Sequence, residues 1–423
     1  MGFLPRVREV HRWLILNPFR SDVAQWFSIS ANHCQVIEIL IVETDDPNIV
    51  GYGETMVDYI AVPHKVSDES IKRVIGQPVS KFMLDDSVGA GLQMALLDAT
   101  GKALQVPVHK LFESEVVRKS CPVSWWNMEA PAEVLASEAR LAVASGYRSH
   151  KIKARPWFDL YRQLDAINRA TPDDYQIDID WNGQLLDAER ATPVIKRILG
   201  NHKVGLFEDP IPRDDIEGQV ALLGLCDKPL LTHYFEEWAE QQMSASAVSG
   251  YVIDGGVARV LRIGAQMDRA GMEGFIQLCG TGLTVALSLH LGAVIKAAKH
   301  PYVSMVTSFT HEILAEPLKV VNGYIAVPQG PGLGVAIDEV KIKHLTLGEK
   351  YPLELPRRIY SFHLGDGRVR LYTSVEHLWS DTSRTGSLPV QPENSRLEIR
   401  EDDGSSDFAQ QYQRVLVHPV WAS

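Results

Sequence analysis

Between about residues 121 and 310, short apolar runs alternate with longer amphipathic stretches. The apolar runs close on Trp126, Lys153, Asp180, Glu208, His233, Asp254, Cys279 and Thr307. Their spacing, roughly 20–30 residues, suits strand–helix units that close a parallel barrel. Helical periodicity fills the gaps, for example over Pro131 to Ser145, Asp187 to Leu199 and Val257 to Ala270. Gly146, Gly200 and Gly271 then stand where a helix end accepts a left-handed residue. No hairpin signal interrupts the stretch. The pattern predicts an α/β fold with a (β/α)8 barrel of the TIM type over residues 121–335.

The flanks read differently. Val36 to Val42 is a strand, Gly51-Tyr-Gly-Glu54 looks like a hairpin return, and Ser87 to Leu104 is a helix that ends before Val106-Pro107. Residues 1–120 therefore form an α+β domain that packs on the barrel. From Leu345 the chain is polar and β-rich, with Arg358 to Leu364 and Arg368 to Tyr372 flanking the hairpin signal Gly365-Asp-Gly367. Pro392 to Asp407 is acidic and reads as mobile. Residues 336–423 are thus expected as an extension packing on the first domain or on the barrel.

Composition narrows the function classes. The chain has 423 residues, 45% hydrophobic and 22% charged, with a net charge of -11. That is enough sequence for a large core and a second domain. No basic stripe is available for phosphate backbones, so no nucleic acid partner is expected. No window reaches the length of a membrane span and no secretory apolar core opens the chain, which predicts a cytoplasmic protein with no membrane partner. Cys34, Cys121, Cys226 and Cys279 are scattered without metal-finger or redox spacing and read as reduced thiols.

The chemistry concentrates at the ends of the apolar runs. Lys151 and Lys153 point the same way from one strand, because extended side chains alternate. The next two runs each deliver a carboxylate at a C-terminal end, Asp180 and Glu208. Two amines facing two carboxylates across a barrel mouth can hold a divalent cation beside a general base. The bland reading is a structural ion pair between the same groups. Asn182 is either a polar contact near the site or a turn residue before Gly183.

Five segments in order carry a family likeness. Ala95-Leu-Leu-Asp-Ala-Thr-Gly-Lys-Ala-Leu-Gln-Val-Pro107 looks like a capping-domain signature helix, and Lys151-Ile-Lys153 a Lys-x-Lys motif. Asp178-Ile-Asp180-Trp-Asn182-Gly and Phe207-Glu-Asp-Pro-Ile-Pro212 are similar to metal-ligand motifs, and Asn322 to Gly334 to a closing segment. Over about residues 30 to 340 the chain resembles the enolase superfamily, in its mandelate racemase and muconate lactonizing enzyme group. The resemblance implies an N-terminal α+β capping domain over a modified (β/α)8 barrel, with a β-rich C-terminal extension beyond it. It also implies a divalent metal, usually Mg²⁺, abstraction of a proton α to a carboxylate, and by analogy a homo-oligomer.

Three departures shape the expected chemistry. The third ligand position holds His233, which suits Mn²⁺ or another borderline cation better than Mg²⁺, unless Glu236 or Glu237 reaches the site instead. Counting five back from Gly255-Gly256, where a second base often stands, gives Gly250. The seventh strand carries Gln277 in place of a histidine, a residue that hydrogen-bonds substrate oxygens but transfers no proton.

These readings converge on a metal-dependent lyase that dehydrates a small hydroxy-carboxylate or acid sugar with a single base. Lys153 would take the α-proton, Lys151 would stabilise the enediolate, and Asp180, Glu208 and His233 would hold Mg²⁺ or a related divalent cation. Asn182, Gln277 and Trp126 would contact the substrate. The alternatives are a one-base isomerase or cycloisomerase of a less polar acid, which the Trp125-Trp126 pair would suit, and a catalytically inactive binding protein. Arg20, His64 and Lys65 are candidates for a second polar group of the substrate. Gly280-Thr-Gly282 reads either as a backbone anion cradle or as close packing, Glu312 as a distant candidate, and Asp254 as a turn residue.

Overall fold

Val36–Thr44 is buried along almost its whole length, and it forms the middle strand of an antiparallel sheet between Val7–Leu16 and Val50–Met56. The helix Ala90–Leu104 lies directly on this sheet. Gly51 and Gly53 allow it: a Cβ at either position would come within 2.0 Å of the carbonyl oxygens of Ala95 and Gly91. Leu92, Ala95, Leu96 and Ala99 fill the space against Leu40 and Val42. The helix starts later than its periodicity predicts, because a 3-10 turn, Asp86–Val88, precedes it. Asp86 is used elsewhere, accepting from the N–H groups of Ala258 and Arg259 at 2.9 Å.

The structure is a computed structural model, and it describes residues 4–59, 62–63, 65–347, 356–383 and 388–422. His64 lies outside them. The chain divides into two compact units, one of Met1–Ala24, Ala31–Trp126 and Gly250–Tyr351, the other of Gln25–Ser30, Asn127–Ser249 and Pro352–Ser423. Among the described residues no helix is long and apolar enough to cross a membrane.

The first unit contains the sheet above, the short strand Trp125–Trp126, the parallel pair Gly250–Ile253 and Glu273–Ile276, and the helices Val257–Ala270 and Gly282–Gly292. Within it the signature helix is pinned to the closing segment. Asp98 accepts from the N–H groups of Leu333 and Tyr52 and from Lys102 Nζ, at 2.8, 2.9 and 2.7 Å. The expected eighth strand is not formed. Val303 makes one bridge to Gln277, Tyr302 one to Val123, and Val306–Ser308 is a 3-10 turn.

The second unit sets four parallel strands side by side: Ser149–Lys153, Gln176–Asp180, Val204–Glu208 and Leu230–His233. All end where the apolar runs predict. The helices Leu160–Ala170, Ala188–Ile198 and Ile216–Leu223 start at Asp159, Asp187 and Asp215, whose carboxylates accept first-turn N–H groups. The C-terminal segment adds an antiparallel sheet in the order Arg396–Glu401, Arg358–His363, Val369–Tyr372, Val420–Trp421, with the helices Val375–Ser383 and Ser406–Val415. The predicted hairpin is present. The stretch Pro392 to Asp407, expected to be mobile, instead carries a full strand and a helix start. Leu397 and Phe408 anchor it in the interior, and its acidic residues face outward. Trp157 and Phe158 share one core with Tyr360, Phe362, Leu364, Tyr372, Leu378 and Leu397.

Candidate active site

Lys153 pairs with Asp180 across the parallel ladder, and Asp180 pairs in turn with Glu208. Neighbouring strands lie about 4.8 Å apart, so three side chains at one level on one face must meet. Lys151, two residues back on the same face, reaches up between them. Its Nζ lies 2.6 Å from Glu208 Oε2, 2.7 Å from Oε1 and 3.2 Å from Asp180 Oδ2. Lys153 Nζ donates to Asp180 Oδ2 and, at 3.0 Å, to Asn182 Oδ1. His150 takes the opposite face of the strand, with its Nε2 2.7 Å from Asn127 Oδ1.

The four charged groups are almost wholly withdrawn from solvent. Burial pushes the Lys153 amine below the usual lysine range; Asp180 opposes this, while Lys151 and Arg155 reinforce it. Burial also works against the Lys151 ammonium, but Glu208 and Asp180 outweigh it and hold its pKa above the usual value. For Asp180 burial is outweighed by Lys153 and Lys151, and its carboxyl sits well below the usual range. Burial thereby works against the charge of one lysine, while two carboxylates favour the charge of the other.

Beyond Glu208 the ladder continues to Leu231, and His233 ends that strand with Nε2 3.3 Å from Glu208 Oε1. Glu208, Asp209 and His233 each bring a ligand atom within 4.8 Å of the others. Asp209, in a left-handed conformation, is already engaged by Arg213 at 2.6 Å and by Thr232 at 2.5 Å. Glu208 Oε2 makes no aligned hydrogen bond, although Lys151 lies beside it. A buried carboxylate oxygen in that condition, next to an imidazole and on the rung shared with Asp180, fits a divalent cation held by oxygen plus nitrogen donors. The sequence motif around Phe207 already contained Asp209, but nothing in it marked that residue as part of this cluster. Glu236 and Glu237 lie exposed in the next helix's first turn.

Residues 134–341 match the family model described as enolase C-terminal domain-like. Over that stretch the chain resembles the enolase superfamily. Among curated relatives, an N-succinyl-L-Arg/Lys racemase of Bacillus cereus is 23% identical, over 81% of this chain and 98% of that one. A muconate cycloisomerase of Pseudomonas putida is 28% identical over 60% and 70%, and an arabinonate dehydratase of Saccharolobus solfataricus 24% over 73% and 90%. The solved 2-chloromuconate cycloisomerase of Rhodococcus opacus aligns with a TM-score of 0.66 at 21% identity, covering 81% of this chain and 99% of that one. An enolase from Thermobispora bispora, complexed with magnesium and formate, gives 0.66 at 22%, over 83% and 94%. The fold is a modified (β/α)8 barrel with an α+β capping domain and a β-rich C-terminal extension. These relatives are enzymes, and enolase-superfamily enzymes bind a divalent metal.

Other residues singled out by the sequence lie outside the cluster. Gln277 and Trp126 belong to the first unit, where Gln277 N donates to Ile253 O at 2.9 Å and Trp126 is buried at its strand end. Gly250 has no room for a side chain, since a Cβ would lie 1.5 Å from the carbonyl oxygen of Glu273. Asp254 faces Arg259 at 3.6 Å. The Gly280-Thr-Gly282 turn does hold an anion, but an internal one. The Glu54 carboxylate accepts from Thr281 N, Thr281 Oγ1 and Thr284 N at 2.8, 2.6 and 2.8 Å. Glu312 accepts from Leu314 N at 2.9 Å. Arg20 bonds Thr307 O and lies over the Trp125 ring, while Lys65 is exposed.

Proposed function

We propose that this enzyme is a metal-dependent lyase that dehydrates a small hydroxy-carboxylate or acid sugar with one base, Lys153. The observation that carries the reading is the buried rung of Lys153, Asp180 and Glu208, with Lys151 bridging both carboxylates. Asp180, Glu208 and His233 would hold the cation. Bound there, such a cation would supply positive charge to offset the negative charge that grows on the substrate carboxylate. Lys153 takes the proton from the carbon next to the carboxylate. Lys151, held charged by Glu208 and Asp180, adds a fixed positive charge nearby. The C–O bond on the neighbouring carbon then breaks, and the proton held by Lys153 leaves with the hydroxyl as water. Both transfers occur on one face and need no second base. The glycine at 250 and the glutamine at 277 support that economy. Asn182, Gln277 and Trp126 would contact the substrate.

A second reading, one-base cycloisomerisation of a less polar acid, is supported by the buried Trp125 and Trp126 and by the cycloisomerases among the relatives. The first test is calorimetry of the EDTA-stripped protein with Mg²⁺ and Mn²⁺ beside a Glu208→Gln variant. It is followed by proton NMR of α-proton exchange in D₂O over a panel of hydroxy acids, acid sugars and unsaturated diacids. Glu208-dependent metal binding with loss of water from an acid sugar is expected. Absence of metal binding would sink both readings.

A further inference from the structure

Arg155 follows Lys153 by two residues and is 1% exposed. Its guanidinium closes around the strand ends. Nη1 donates to the carbonyls of Ala154, Asp180 and Trp181 at 3.1, 3.4 and 3.2 Å, and Nη2 donates to Asn182 Oδ1 at 2.7 Å. The same Asn182 oxygen accepts from Lys153 Nζ at 3.0 Å. An asparagine amide can offer either its oxygen or its nitrogen to a neighbour. Two converging donors remove that freedom and turn Oδ1 toward Lys153. Asn182 itself sits in a left-handed conformation, φ 48°, tied by its N–H to Asp180 Oδ1 at 2.9 Å. The backbone and the amide oxygen of this residue are therefore held, and Arg155 supplies one of the constraints.

Arg155 is in turn held from behind by the C-terminal segment. The Trp379 ring covers the guanidinium with its centroid 4.7 Å from Cζ, and it meets Trp157 edge-on at 5.9 Å. Gln391 Nε2 donates to the carbonyls of Arg155 and Phe158 at 3.2 and 3.0 Å. Thr382 Oγ1 donates to Gln184 Oε1 at 3.1 Å, and Asn394 N to Asp159 Oδ2 at 2.6 Å. A guanidinium in the interior is costly unless it is hydrogen-bonded and stacked, and this segment supplies the stacking surface. All four residues lie beyond residue 341, where the family model's match ends.

We propose that the C-terminal extension is part of the catalytic apparatus: through Trp379 and Gln391 it holds Arg155, a positioning residue that fixes the Asn182 amide and the Lys153 amine. The proposal rests on the reading of Lys153 as the base, but its test separates the two. The Asn182 side-chain amide resonance in a ¹⁵N-labelled protein, assigned by its loss in Asn182→Asp, reports the positioning without any turnover. Trp379→Ala and Arg155→Lys should shift that resonance and speed its hydrogen exchange, and Trp379→Phe should restore it. In turnover, Trp379→Ala should lower kcat about 10- to 100-fold, the scale of a displaced reacting group, with KM within about threefold. Trp379→Phe should recover most of the loss. If Trp379→Ala does not fold, Arg155→Lys, which keeps the charge and loses the fork, carries the comparison. An Asn182 resonance unmoved in both variants overturns the proposal. So does a kcat loss that follows the melting temperature and is not recovered by phenylalanine. If the wild-type protein exchanges no α-proton from any acid while the resonance responds as expected, the base assignment fails and the positioning stands.

Discussion

His109 and His290 face each other in the interior with their Nδ1 atoms 3.0 Å apart. Nε2 of His290 lies 3.0 Å from the carbonyl oxygen of Leu333, which can only accept, so Nε2 carries the hydrogen. His290 Nδ1 is then the acceptor and His109 Nδ1–H the donor. A second proton on His290 would set two donors against each other. Burial pushes the His290 pKa down to about 4, and burial followed by the Lys110 charge lowers that of His109. Folded values below the unfolded one mean that stability is complete above the ordinary histidine pKa and is lost as pH falls from about 6.5 toward 4. Urea unfolding should show a loss on the order of 2–3 kcal/mol across that window. A His290→Gln variant should show a flatter dependence; an unchanged slope would place the acid sensitivity elsewhere.

Glu54 fills the N-terminus of the helix Gly282–Gly292 from within the same unit. Replacing it by alanine leaves two backbone N–H groups and a threonine hydroxyl buried without an acceptor. At about 1–3 kcal/mol for each unsatisfied group, Glu54→Ala should cost about 3 kcal/mol or more. Glu54→Gln keeps one acceptor oxygen and should cost less. Chemical denaturation of both variants gives the comparison, and equal losses would show that packing, not hydrogen bonding, holds the turn.

The strand position at Gly250, where the family resemblance leads one to expect a second base, is closed by backbone. Because a Cβ at Gly250 would lie 1.5 Å from the Glu273 carbonyl oxygen, even alanine must force two strands apart. Gly250→Ala should destabilise by about 3 kcal/mol or prevent folding, and Gly250→Lys should not create a racemase. With one base, deuterium should enter the α-position with retention of configuration, which chiral chromatography of the exchanged acid can read. Accumulation of the opposite enantiomer would mean that a second proton donor has gone unnoticed.

The strand ends at Lys153, Asp180, Glu208 and His233 were legible because a buried parallel strand is a short apolar run, and a charge can follow only where the run meets the barrel mouth. The alternation rule placed Lys151 with Lys153, and the structure keeps His150 on the other face. Arg155 escaped notice because it lies past the strand, where periodicity says nothing, and its partners Trp379 and Gln391 are more than 200 residues away. The stretch Pro392 to Asp407 misled for a related reason. Its acidic composition speaks for solvation, while Leu397 and Phe408, which decide its order, meet their partners only in the folded core. The eighth strand, expected to end near Thr307, gives single bridges at Tyr302 and Val303 and then the 3-10 turn Val306–Ser308, which regular spacing does not reveal.

His233 sets the donor character of the proposed metal centre. An imidazole beside Glu208 brings a nitrogen donor and no negative charge, which favours Mn²⁺ over the harder Mg²⁺. A His233→Asp variant restores an all-oxygen set and adds one charge. Its Mg²⁺ affinity should rise by about tenfold or more relative to its Mn²⁺ affinity, measured by calorimetry on the EDTA-stripped protein. If the preference between the two ions does not move, His233 is not a ligand. Asp209 would then be the donor to examine: it already lies in the same cluster, and Arg213→Ala should release its Oδ2 while Thr232 keeps Oδ1. That variant should then bind metal more tightly than the wild type, whereas under the His233 assignment it should bind no better.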